Sequence, residues 1–110
     1  MNTRPARKIT LYVDETDKSH GKPVYEAVME ICFRNQTAGA SVFRGVAGYG
    51  SHRKFHTAKI LELSTDLPVK IEIIESEEMI NRILPEISAI VTKGLIEISE
   101  TTIVGTSDKT

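Results

Sequence analysis

Apolar and polar residues alternate from Lys8 to Asp14, with Ile9, Leu11 and Val13 set against Lys8, Thr10 and Tyr12. A period of two predicts a β-strand with one buried face. The polar stretch ETDKSHGK follows, and then the period lengthens. Val24, Val28 and Ile31, joined by Ala27, recur at helical spacing and predict an amphipathic helix over residues 23–36. Pro23 suits its first position, where a missing N–H has no intrahelical partner to lose. Gly39 ends this unit, and ASVFRGVAGYG, residues 40–50, predicts a second strand that frays where its glycines begin.

The order then repeats. TAKILELSTDL reads as a short strand or a helical turn, with the strand preferred. PVKIEIIES, residues 68–76, alternates clearly, with Val69, Ile71 and Ile73 on one face and Lys70 and Glu72 on the other. Ser76 is a suitable N-cap, and Glu77 and Glu78 complement the positive end of a helix dipole. Ile80, Ile83, Leu84, Ile87 and Val91 mark a second amphipathic helix, in which Pro85 predicts a kink rather than a stop. After Gly94, LIEISETTIV (95–104) supplies the last strand.

This order predicts an α+β, ferredoxin-like βαββαβ domain, an antiparallel sheet with both helices on one face. Residues 1–110 read as one domain, with 1–7 and 105–110 flexible. The sheet face away from the helices would carry Lys8, Tyr12, Lys70 and Glu72. It is mixed rather than strongly polar, which predicts that another subunit covers it.

Composition narrows the picture. With 40% hydrophobic and 26% charged residues the chain is globular, and without Trp its core must be aliphatic. The single cysteine, Cys32, excludes an internal disulfide and sits on the first helix as a small apolar filler. No apolar run is long enough to span a membrane, and the N-terminus lacks an apolar signal core, so a cytoplasmic location is expected. The net charge of −1 hides an asymmetry. No Asp or Glu occurs from Ile31 to Leu61, where Arg34, Arg44, Arg53, Lys54 and Lys59 lie, whereas acids dominate from Glu62 to Glu100. A local positive field is thus expected around RGVAGYGSHRKFHT, residues 44–57.

That stretch is the candidate functional segment. Its histidines, His52 and His56, have no carboxylate close in sequence to orient them, which argues against acid–base catalysis and predicts a non-enzyme. Two imidazoles without Cys or carboxylate neighbours fall short of a metal site. Base-stacking aromatics are missing from the central strand, which argues against nucleic acid. Glycines that turn backbone N–H groups inward beside Arg and Lys fit an anion or nucleotide better. A solvated loop with hinge glycines is the competing reading.

GYGSHRKFHT, followed by DLP and the strand VKIEII, resembles the nitrogen-regulatory PII signalling proteins. GKPVYEAV, AGASVFRGVAGYG and HTAKILELSTDLPVKIEIIES resemble more closely the branch of that superfamily designated DUF190. The resemblance runs from about Lys8 to Val104. It implies a homotrimer with inward-facing sheets and no required cofactor. Adenine nucleotides would bind in clefts between subunits, and a mobile T-loop-like segment, residues 48–57, would dock on a membrane transporter, channel or metabolic enzyme. The ligand-binding residues it implies, together with the charge of the loop, are Arg44, Gly48, Tyr49, Gly50, Arg53, Lys54, Lys93 and Gly94. The Gly-Asp-Gly-Lys element and the uridylylated tyrosine of some PII proteins have no counterpart here. A metal- or stress-linked trimeric binding protein without a nucleotide role is the alternative.

Overall fold

The computed structural model describes residues 2–48, 56–57 and 67–105, and of 56–57 the backbone alone. Strand β1 (Asn2–Asp14) leads through a hairpin of β2 (Lys18–Ser19) and β3 (Lys22–Pro23) into helix α1 (Val24–Arg34). Strand β4 (Ala40–Arg44) follows, then the short β5 (Ala47–Gly48) and β6 (His56–Thr57), which pair with each other. The chain continues through β7 (Pro68–Glu75), α2 (Glu77–Ile90) and β8 (Leu95–Gly105). The main sheet has the order β4-β7-β1-β8 with every neighbouring pair antiparallel, and this is the ferredoxin-like arrangement expected from the pattern.

Both helices lie on one sheet face because only that face is apolar enough to bury them. Ile9 and Leu11 of β1 and Ile71 and Ile73 of β7 are fully buried against Val28 of α1 and Ile80, Ile83 and Ile87 of α2. Each such side chain contributes roughly 1.5–3 kcal/mol relative to exposure. The buried cluster is Ile, Leu and Val with Cys32 as filler, an aliphatic core as expected. Ser76 caps α2, its hydroxyl accepting from the Met79 N–H at 3.2 Å, and the helix continues through Pro85 to Ile90.

Several boundaries differ from the pattern. β1 begins at Asn2 rather than Lys8, because residues 2–6 pair with 101–105 of β8, so the segment expected to be loose at 1–7 is sheet from Asn2 onward. Gly105, expected to begin a flexible tail, is buried opposite Asn2. Pro23 sits at the N-cap rather than inside the helix. The expected strand over 40–50 divides into β4 and β5, and the tail beyond Gly105 lies outside the described residues.

Helix α1 ends at Arg34, five residues before Gly39. Gln36 takes the left-handed conformation there (φ 58°), with its N–H donating to the Phe33 carbonyl and that of Thr37 to the Cys32 carbonyl, both at 3.1 Å. That is a Schellman stop built on glutamine, where glycine is the usual residue.

Candidate ligand site

Antiparallel pairing brings the ends of β1 and β4 and the starts of β7 and β8 to one end of the sheet. Arg44, Gly48, Lys93 and Gly94 therefore share that end. Tyr49, Gly50, Arg53 and Lys54, and most of TAKILELSTDL, lie outside the described residues. Arg44 closes one outer strand and Lys93 just precedes the other, three strand spacings or roughly 14 Å apart along the sheet.

The base of the loop is closed around Pro68. The Gly45 N–H donates to the Pro68 carbonyl at 2.7 Å. A Cβ on Gly45 would lie 2.8 Å from Pro68 Cγ, and one on Gly48 would lie 3.0 Å from the same atom. Neither backbone position has a positive φ, and both glycines allow close approach to the proline ring. Beyond it, Ala47 and Gly48 pair with Thr57 and His56, which draws the two ends of the intervening segment together into a neck.

Arg44 does not stand free. Its Nε donates to Glu15 Oε2 at 3.2 Å, its Nη2 lies 3.1 Å from the same oxygen in an ion pair, and the Glu15 N–H is itself held by the Leu67 carbonyl at 2.8 Å. The guanidinium thus ties β4 to the segment after β1. Sequence spacing offered no hint of this pair, since 29 residues separate the partners.

At the β8 side, Val13, Asp17, Lys18, Lys93 and Gly94 line a hollow with about 30 Å³ of open space. That is room for about two water-sized groups, enough for a carboxylate or part of a phosphate. Lys18, from the β2–β3 hairpin, joins Lys93 there, and sequence inspection did not single it out. Its signal was present in the two-residue turn His20–Gly21, both at positive φ, which closes the β2–β3 hairpin. Asp17 is engaged structurally, its Oδ2 accepting from the Asp14 N–H at 3.1 Å.

The open sheet face carries cross-strand rows. Phe43, Lys70, Tyr12 and Leu95 stand opposite one another across all four strands, with the Lys70 ammonium 5.1 Å from the Phe43 ring centre. Behind them come Ser41, Glu72, Thr10 and Glu97, with Lys70 and Glu72 paired at 3.2 Å. Phe43, Tyr12 and Leu95 are exposed in the protomer. Among the described residues no cluster of three His, Cys, Asp or Glu could hold a metal, and no helix is long and apolar enough to cross a membrane.

Comparison with known proteins adds to this geometry. The model of the DUF190 family, described as "Uncharacterized ACR, COG1993", matches residues 6–103. A UPF0166 protein of Methanocaldococcus jannaschii is 38% identical over 96 residues, covering 86% of this chain and 88% of its own. One from Aquifex aeolicus is 34% identical over 104 residues, covering 94% and 98%. Among solved structures, CPII of Thiomonas intermedia K12, a nitrogen regulatory PII-like protein bound to ADP, AMP and bicarbonate, superposes with a TM-score of 0.68 at 14% identity, covering 94% of this chain and all of that one. A structure from Thermus thermophilus, described as a PII-like signaling protein, gives 0.64 at 16% identity, with 94% of each chain covered. At such identities the structural likeness speaks for the fold.

Proposed function

We propose, from the premise that this chain belongs to the DUF190 family of the PII-like superfamily, that it is a non-catalytic signalling protein. It binds a small anionic ligand, an adenine nucleotide, in clefts between the subunits of a cytoplasmic homotrimer. Its basic loop then contacts a partner, which by the resemblance is a transporter, channel or metabolic enzyme.

The observation that carries this reading is the gathering of Arg44, Lys18 and Lys93 at the sheet end from which the loop springs. Two cationic groups on opposite edges of one sheet suit a ligand with phosphate at some distance from another recognised group. They suit equally a cleft to which two subunits each bring one edge. The structurally similar CPII binds ADP and AMP, which makes adenine nucleotides the first ligands to test. The exposed row of Phe43, Tyr12 and Leu95 supports the trimer, since a partner sheet would remove this apolar surface from water.

Arg53 and Lys54 supply charge to the same loop in this reading. Arg53→Ala with Lys54→Ala weakens binding of ADP and AMP in titration calorimetry without lowering the melting temperature. Charge-assisted bonds to phosphate are worth roughly 1.5–3 kcal/mol each when desolvated. Unchanged nucleotide affinity in the double variant would contradict the assignment of the loop. Titration of divalent metals in the same calorimeter tests the alternative, a metal-linked trimer without a nucleotide role.

A further inference from the structure

We propose that Glu15 is a built-in competitor for Arg44, occupying the guanidinium edge that an anionic ligand must take. The proposal rests on the reading of Arg44 as a ligand residue. A guanidinium recognises a carboxylate or phosphate through two neighbouring N–H groups, and here the Nε and Nη2 pair is spent on one carboxylate oxygen. An anion approaching that edge meets a site already filled by a group of its own charge.

The geometry makes the contact reversible. The Arg44 side chain is 52% exposed, so a ligand in solvent can reach the guanidinium, whereas that of Glu15 is 21% exposed. Glu15 is anchored from behind by its own N–H on the Leu67 carbonyl. It therefore stays in place as Arg44 changes partners. A partly exposed ion pair of this kind is weak, so its displacement costs a ligand only a few-fold in affinity.

The exchange has a consequence for the loop. Arg44 immediately precedes Gly45, whose N–H bonds Pro68, and Gly48 packs on the same ring at the neck. While Arg44 holds Glu15, the strand leading into the neck is tied across β7 to the end of β1. When Arg44 turns to a ligand, that tie is lost. Occupancy of the site is thereby passed to the base of the loop through a single exchanged ion pair.

The test is titration calorimetry of AMP and ADP, at low salt, with wild-type protein, Glu15→Gln and Arg44→Gln. Glu15→Gln is expected to bind roughly two- to fivefold tighter, the size of an exposed ion pair, while its melting temperature stays level or falls slightly. A purely structural glutamate would lower stability without tightening binding. Should Glu15→Gln fail to fold, Glu15→Asp, which shortens the reach but keeps the charge, is expected to show a smaller gain of the same sign. Equal or weaker binding by the folded Glu15 variant overturns the competitor role and leaves the anion site standing. Wild-type affinity in Arg44→Gln also overturns it, with Lys18 and Lys93 left as the binding groups. Absence of nucleotide binding in all three proteins overturns the ligand reading and this inference together.

Discussion

Gly94 passes so close to Tyr12 that a Cβ at position 94 would lie 2.3 Å from the Tyr12 carbonyl oxygen. Val13 Cγ1 and Val91 Cγ1 close the remaining space at 2.9 and 3.2 Å. The turn into β8 is thus pressed onto the end of β1, and this contact holds Lys93 beside Lys18 and Asp17. A glycine assigned to ligand binding by resemblance has a steric role of its own.

Gly94→Ala is expected to destabilise the fold by about 2–3 kcal/mol, because backbone rather than a side-chain tip must yield. Gly48→Ala meets only the Pro68 ring and is expected to cost about 1 kcal/mol. Adding Pro68→Ala to Gly48→Ala returns most of that loss, and a double-mutant cycle in urea measures the coupling. Additive effects at positions 48 and 68 would contradict the clasp around the proline.

Gln36→Gly is expected to stabilise the protein by about 1 kcal/mol. The left-handed conformation at φ 58° costs a residue with a Cβ, and glycine removes that cost while keeping both Schellman hydrogen bonds. A shift of the urea midpoint upward, with unchanged slope, is the expected result.

Cys32 gives a pH signature. Burial raises its pKa above the usual value of 9.0, and a hydrogen bond with the Thr37 side chain acts more weakly in the opposite direction. Because the folded-state pKa is the higher one, the thiol's contribution is complete below the unfolded-state value. It is lost as pH rises through the folded one, since the unfolded chain ionises first. Stability is therefore expected to fall from about pH 9 upward in the wild type, and less steeply in Cys32→Ala, as urea titrations across that range would report.

The fold was legible because its period-two and helical stripes are nearly uninterrupted. Ile9 to Val13, Val69 to Ile73 and the stripe from Ile80 to Ile87 each point at the core they form. The ends of elements were less legible. Asn2–Arg7 carries no clean alternation, and its pairing with β8 is a long-range property that local pattern does not encode. The stop after α1 was hidden because glutamine, not glycine, adopts the left-handed position. At the candidate site, glycine spacing drew attention to the loop base, but the contacts that the glycines make there are long-range. Gly45 and Gly48 are required by Pro68, 20 or more residues onward, and Arg44 is claimed by Glu15 from beyond the end of β1. Glu75, among the acids counted only as charge, is largely buried and accepts from the Ala38 N–H at 2.8 Å, anchoring the segment before β4.

In the proposed assembly three subunits close their open sheet faces together and hold a nucleotide at the joints. Native mass spectrometry of the purified protein, with and without added ADP or AMP, reads both parts at once. The predicted spectrum is a trimer that gains up to three nucleotides per assembly. A single subunit that gains no nucleotide would contradict it.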